Sequence, residues 1–133
     1  MITSKLKFLF AISIPLFIAH GIEEILTGFY NLDQWDEWIF GLLPFSSTPQ
    51  AMFATFQVMI WVLFVVALLM LLNERIRLYT LGLVGVIYLF ELHHPIKAII
   101  SEGYYPGLVT SLIFPFFAFF FWKEWMINHK KIK

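Results

Sequence analysis

Four apolar stretches, each close to the length of a membrane span, limit what this chain can fold into. A helix needs about 20 residues to cross a hydrocarbon core of about 30 Å. The four stretches are residues 8–27, 49–72, 78–100 and 106–125. Because backbone amides in lipid must be paired within the chain, we expect each stretch to form a transmembrane helix. The sequence therefore predicts one all-α domain over residues 1–133, an integral membrane four-helix bundle.

The composition agrees with this prediction and excludes several classes of function. Hydrophobic residues make up 60% of the chain and charged residues 14%, with a net charge of zero. No basic cluster of the kind that binds phosphate backbones is present, so we expect membrane lipid as a partner and no nucleic acid. The chain has no cysteine, which excludes disulfides, thiolate metal ligands and cysteine nucleophiles.

The basic residues predict how the chain is oriented in the membrane. Eight of the nine lysines and arginines lie on the side shared by the two termini and the 73–77 loop. They are Lys5, Lys7, Arg75, Arg77, Lys123, Lys130, Lys131 and Lys133. Because positive residues are retained on the cytoplasmic side, we expect a multi-pass protein of the cell membrane with both termini cytoplasmic.

The first outer connection, residues 28–48, is too long for a tight turn. Its apolar residues recur at helical spacing at Leu32, Trp35, Ile39 and Leu42. We therefore expect a short interfacial helix in this outer amphipathic loop, lying flat on the membrane surface. It could cover a site as a lid, or serve as a connector anchored by its tryptophans.

Ionisable side chains are concentrated in two of the predicted spans. An ionised group at mid-membrane costs about 2.5–3.5 kcal/mol on insertion scales, so such groups usually face a bundle interior or a polar cavity. The first span carries His20, Glu23 and Glu24, and the third carries Glu91, His93, His94 and Lys97. Spacings of three and four residues place both acids of the first span on the face of the histidine. In the third span Glu91 and His94 are three residues apart and share a face, whereas His93 points more nearly opposite, so only one histidine, His93 or His94, is expected to act with Glu91.

Depth along the helices brings these groups together. The first and third spans run in the same direction, and His20 and His93 each lie about 10 Å inside the outer end of their span. Gln57 and Thr110 add polar atoms at a similar depth from the second and fourth spans. Pro95 cannot donate a hydrogen bond to the carbonyl of Glu91, so we expect that carbonyl to be free within this polar layer.

Two sequence blocks resemble a known family. His20-Gly21-Ile22-Glu23-Glu24 reads His-x-x-Glu-Glu, which is the signature of the HXXEE domain family of small membrane proteins. Downstream, Glu91-Leu92-His93-His94, Tyr105-Pro106-Gly107 and Thr110 are also similar to what that family shows. The resemblance covers nearly the whole chain. It supports the membrane fold and the choice of residues, and it implies no reaction.

A divalent metal site is the sharpest hypothesis for the polar layer. Imidazole and carboxylate groups at one depth on neighbouring helices are the ligands of metal sites in helical bundles. The candidate ligands are His20, Glu24 or Glu23, Glu91, and His94 or His93. The third span has one Glu-x-x-His pair and the first reads in reverse order, so the four-carboxylate di-iron pattern is incomplete. Zinc, iron or manganese would suit such a ligand set.

Acid–base catalysis on a lipid-like substrate is the second hypothesis. A buried glutamate beside a histidine can exchange a proton near neutral pH. The candidate catalytic residues are Glu23, Glu24, His20 and Glu91. Side chains that could bind the substrate are Gln57, Lys97, Tyr105 and Thr110.

Two other interpretations remain open at this point. The same residues could form a proton- or cation-coupled binding or transport module, and because four short helices enclose a narrow cavity, transport would require a homodimer. Alternatively, the polar groups could be hydrogen-bonded links that hold the helices together. Because seven ionisable groups gather near one layer, we favour a functional site.

Overall fold

The computed structural model describes residues 2–31 and 48–131, and within these ranges it is helical with no strand. Four segments are long and apolar enough to cross a membrane. We call them the first to fourth spans: Ser4–Thr27, Pro49–Met70, Arg77–Ile100 and Leu108–Lys130. The expectation of an all-helical fold with four apolar spans is therefore confirmed for the described residues.

The first outer connection is described only at its two ends. After the first span, Phe29–Asn31 forms a single 3-10 turn. The interfacial helix expected within residues 28–48 falls mainly on 32–47, which lie outside the described residues.

Capping threonines determine where the first two spans begin. The hydroxyl of Thr3 accepts a backbone N–H of the first turn, so the first helix begins at Ser4, upstream of the apolar run that starts at residue 8. Thr48 caps the second span in the same way, and Pro49 occupies its first turn, where a missing N–H costs nothing.

The third and fourth spans are each interrupted close to a proline. The third consists of Arg77–Phe90 and His93–Ile100, and the fourth of Leu108–Ser111 and Phe114–Lys130. A proline ring prevents regular helical pairing with the residue four positions earlier, which explains breaks just before Pro95 and Pro115.

The backbone carbonyl of Glu91, at the break in the third span, has a hydrogen-bond partner. We expected this carbonyl to be free within the polar layer, but it accepts the backbone N–H of His94 at 3.4 Å. The chain has tightened locally to a bond three residues apart, which compensates for the N–H that Pro95 lacks. The break therefore contributes no free backbone acceptor at this position.

Aromatic side chains fill the middle of the bundle. The ring of Phe17 lies 4.6 Å from that of Phe64 and 4.7 Å from that of Phe114, measured between centroids. The buried hydroxyl of Tyr88 donates to Ser13 at 2.8 Å. Other phenylalanines, including Phe116, are exposed on the outside of the bundle, as expected for side chains that face lipid.

Glycines allow the fourth span to pack closely on the third. The indole N–H of Trp122 donates to the backbone carbonyl of Gly85 at 3.1 Å. A Cβ atom at Gly85 would lie 2.9 Å from ring carbons of Phe121 and Trp122. Small residues of this kind let membrane helices approach each other, so Gly85 sets the distance between these two spans.

Polar contacts also join the first and fourth spans near the chain termini. Lys5 forms an ion pair of 2.7 Å with the mostly buried Glu124. Asn128 accepts the backbone N–H of Thr3 at 2.7 Å and donates to the Thr3 hydroxyl. These contacts hold the first and fourth spans together at the end of the bundle that carries the chain termini.

Replacing Gly85 with valine should separate the third and fourth spans. We expect the free energy of unfolding to fall by about 1–3 kcal/mol, because the added carbons overpack the contact with Phe121 and Trp122. The measurement is a denaturant titration of the detergent-purified protein followed by circular dichroism. The matched control is Gly103→Val, because a Cβ atom at Gly103 meets its nearest neighbour at an ordinary 3.7 Å. Equal losses in both variants would contradict the role assigned to Gly85.

Candidate functional site

Two histidines and two glutamates meet at the end of the bundle opposite the termini. The Nε2 atoms of His20 and His94 lie 3.1 Å apart. Glu91 Oε2 is 2.9 Å from His20 Nε2, and Glu24 Oε1 is 3.1 Å from His94 Nε2. His20 is 2% exposed, His94 0% and Glu24 5%. We call these four side chains the His/Glu centre.

The outer nitrogen of each histidine has a partner that defines its tautomer. His94 Nδ1 lies 2.6 Å from the carbonyl oxygen of Pro106, which can only accept, so this nitrogen carries a proton. His20 Nδ1 lies 2.7 Å from the hydroxyl of Thr110. That hydroxyl gives its single proton to Glu23 Oε2 at 2.5 Å, so it accepts from His20. When an imidazole of this pair is neutral, its Nε2 lone pair is therefore directed into the centre.

The His/Glu centre consequently gathers four electron-pair donors. Donor atoms of His20, Glu91 and His94 all lie within 4.8 Å of one another, so this group could hold a metal ion. Glu24 adds a fourth donor, and its second oxygen accepts the side-chain amide of Gln57 at 2.6 Å. Lone pairs and negative charges this close need a positive charge between them, either a metal ion or protons.

Glu23 lies outside the centre, although its neighbour Glu24 is part of it. Its carboxylate accepts the hydroxyl of Tyr104 at 2.9 Å and the backbone N–H groups of Val109 and Thr110 at 3.0 and 2.8 Å. Partial burial and the Glu23 carboxylate raise the pKa of Tyr104, so its phenol remains a donor at neutral pH. Glu23 therefore fastens the first span to the start of the fourth and orients Thr110.

Gly107 brings the backbone of the loop between the third and fourth spans against both imidazoles. It has a φ of 80°, a conformation that favours glycine. A Cβ atom there would lie 2.7 Å from Cε1 of His94 and 2.9 Å from Cε1 of His20. Gly21 has a similar function on the other side, because its Cβ would lie 2.5 Å from the side-chain oxygen of Gln57.

The structure distinguishes between the two neighbouring histidines of the third span. His94 belongs to the centre, whereas His93 donates from Nδ1 to the carbonyl of Phe90 at 2.8 Å. The ring of His93 faces Tyr105 at 6.3 Å between centroids. Lys97 is exposed, and no ion pair joins it to the centre within residues 2–31 and 48–131.

A cavity of about 260 Å³ adjoins the His/Glu centre. Its polar lining residues are His20, Glu24, Gln57, Glu91 and His93. The rest of its lining is aromatic and aliphatic and comes from the first three spans and Phe29. The centre is therefore accessible from a small, mostly apolar space.

Several atoms that hydrogen-bond to the centre or to Glu23 could not be identified from the sequence. Tyr104, the carbonyl of Pro106 and the backbone N–H of Val109 were not among the candidates. The Pro-Gly pair at 106–107 does signal a turn with a positive φ. Backbone donors and acceptors, however, belong to every residue type, so no residue pattern marks them in advance.

Together, four apolar spans and a buried His/Glu centre define a helical protein of membrane-spanning character with a potential metal-ligand set. Residues 11–122 match the model of a family described as "Protein of unknown function with HXXEE motif". The chain therefore belongs to the HXXEE family, as its two sequence blocks indicated. No curated protein and no solved structure matches the chain.

Replacing Gly107 with alanine should displace both imidazoles of the centre while the helices remain folded. Side-chain ¹⁵N NMR of the histidines measures this effect, and we expect the His20 and His94 signals to shift or broaden. Gly28→Ala is a control with matched backbone strain, because Gly28 has a φ of 77° but its Cβ would meet only Asn31, at 3.3 Å. Unchanged His20 and His94 signals in Gly107→Ala would show that this close approach is not needed.

Proposed function

We propose that this chain is a membrane-embedded metalloenzyme that holds one divalent metal ion at the His/Glu centre and acts on a lipid-like substrate. The proposal is based on one observation: both Nδ1 atoms donate to protein oxygens, so the Nε2 atoms of the two rings, which carry lone pairs when the rings are neutral, converge with two carboxylate oxygens. Histidines that ligate metals usually donate their other N–H to a carbonyl or carboxylate. Here Pro106 supplies the carbonyl, and Thr110 links His20 to the Glu23 carboxylate.

The distances within the centre support one metal ion. Zinc bonds of about 2.0–2.2 Å to nitrogen and oxygen in a tetrahedral site place ligand atoms about 3.3–3.6 Å apart. The nitrogen atoms of His20 and His94 are 3.1 Å apart. The four nitrogen-to-oxygen distances are 2.9, 3.1, 3.4 and 3.7 Å. Small shifts would therefore bring His20, Glu91 and His94 to a common ion, whereas Glu24, which is not part of the group that lies within 4.8 Å, would have to move closer to Glu91.

Charge and ligand type favour a divalent transition metal. Two ionised carboxylates balance a charge of +2, which avoids an uncompensated charge among apolar helices. Imidazole with carboxylate suits zinc, iron or manganese. When bound, such a metal polarises a substrate oxygen or activates a water molecule. The chain itself orients the ligands through Gln57 and Thr110 and leaves the cavity side open for substrate.

The runner-up function uses protons in place of the metal. A distance of 3.1 Å between two imidazole nitrogens is also that of a hydrogen bond, and one proton between them would relieve the same repulsion. The centre would then serve acid–base catalysis or proton-coupled binding and transport. The metal measurement below separates this candidate from the first.

We also propose that the protein lies in the cell membrane with both termini in the cytoplasm. Support comes from the eight basic residues on the side of the termini and the 73–77 loop. In this orientation the His/Glu centre lies near the outer surface.

Removing both histidines of the centre should remove the metal. We expect near-stoichiometric zinc, iron or manganese in the wild-type protein and none in His20→Ala/His94→Ala, because two of the four ligands are lost. Elemental analysis of detergent-purified protein is the measurement. His93→Ala is the matched control and should retain the metal. Wild-type protein that contains no metal and cannot be reconstituted with one would favour the proton-based function.

The hydroxyl of Thr110 should determine metal affinity without binding the metal itself. Thr110→Val keeps the shape but removes the acceptor for His20, and we expect the metal to bind about 10–100-fold more weakly. Affinity is measured by competition with a chelator. Thr55→Val is the control, because Thr55 is exposed on the second span and its hydroxyl donates to the carbonyl of Ala51 in its own helix. If Thr110→Val bound metal as tightly as wild type, the link from Glu23 to His20 would have no such function.

A further inference from the structure

The cavity beside the His/Glu centre has a polar end and an apolar end. The polar end is formed by side chains of the centre together with Gln57 and His93. The apolar lining consists of Phe29 near the surface and of Phe17, Phe53, Phe56, Ile60, Ile87 and Phe90. A ligand that satisfies both ends must itself be an amphiphile.

The apolar part extends from the centre toward the middle of the membrane. Ile87 precedes Glu91 by one turn and Phe17 precedes His20 by nearly one turn, which places both about 5 Å deeper in their spans. Ile60 lies about 10 Å along the second span from Phe53, in the same direction. Phe17, Ile60 and Ile87 therefore form an apolar part that is deeper in the membrane than the polar groups, as the chain of a lipid-like molecule would need, while Phe29 and Phe53 line the cavity nearer the surface.

The surroundings of the cavity indicate entry from lipid between the second and third spans. Phe90, which lines the cavity, is 69% exposed. Met59 on the second span and Leu89 on the third are exposed beside the lining residues. In a membrane-spanning helix such exposed apolar surfaces contact lipid. A hydrocarbon chain could therefore enter sideways without crossing water.

The volume of the cavity restricts what can enter. At about 260 Å³ it is smaller than the roughly 300–1,000 Å³ of pockets that hold drug-sized ligands. One hydrocarbon chain fits this space better than the two chains of a bilayer phospholipid. At the polar end, Nδ1 of His93 donates to the carbonyl of Phe90, and within residues 2–31 and 48–131 its Nε2 has no hydrogen-bond partner and could meet a head group.

We infer that the substrate is a single-chain amphiphile whose chain enters between the second and third spans and whose polar end meets the His/Glu centre. This inference rests on the proposed function for the chemistry at the polar end. The binding of the chain depends only on the cavity, so it can be tested without metal.

Photo-crosslinking in lipid nanodiscs tests the inference. The probe is dodecanoic acid with a diazirine at mid-chain, and mass spectrometry identifies the modified residues. We expect adducts on residues 53–60 and 87–90 that excess dodecanoic acid suppresses and acetate does not. Ile60→Trp and, separately, Ile87→Phe should each lower these adducts about tenfold, because the larger side chains fill the cavity. Val62→Trp is the control, since Val62 is exposed on the same span and lines no part of this cavity.

The outcomes separate this inference from the proposed metal site. Adducts spread over all lipid-facing residues, or unchanged in both cavity-filling variants, would overturn the inference. Elemental analysis of the same samples reports on the metal independently. Cavity adducts without metal would support the single-chain ligand and contradict the metalloenzyme. Metal without cavity adducts would leave the metalloenzyme standing and refute the single-chain ligand.

Discussion

The contact between His20 and His94, flanked by Glu24 and Glu91, is the interaction on which this end of the bundle depends. Polar groups among apolar helices must find their hydrogen-bond and charge partners within the protein. Every span supplies some of these partners. The first and third supply the four side chains, the second supplies Gln57, and the fourth supplies Thr110 with the loop that precedes it. The position of each span at this end is thus linked to the geometry of one small centre.

The residues of the His-x-x-Glu-Glu motif have different contacts and therefore different functions. His20 and Glu24, four residues apart, both face the centre, whereas Glu23 receives the hydrogen bonds of the loop that leads into the fourth span. Gly21 allows the second span to approach, so that Gln57 can hold Glu24. Two adjacent glutamates therefore differ in function because their helix faces two different neighbours. Under the proposed function, Glu24 would be a metal ligand and Glu23 a positioning residue.

Much of the fold could be predicted from the sequence, because lipid imposes a length and an apolar character on every span. The site was predictable in part: His20, Glu24 and Glu91 share faces and depth that follow from helix geometry. The three-residue spacing already placed His94 on the face of Glu91, although both histidines were kept as candidates. The Glu91 carbonyl was wrongly expected to be free, because the local tightening of the chain before Pro95 was not foreseen. Glu23 was assigned with Glu24 because spacing alone cannot show which neighbour a side chain meets. The supporting atoms of Pro106 and Val109 belong to the backbone, which residue patterns do not encode.

X-ray absorption at the metal edge of the purified, metal-loaded protein tests the central claim most directly. A metal ion held by His20 and His94 should show a first shell of nitrogen and oxygen at about 2.0–2.2 Å, with the outer-shell scattering of two imidazole rings. A shell made only of oxygen, with no imidazole scattering, would contradict it, because the metal would then lie outside the meeting point of His20 and His94.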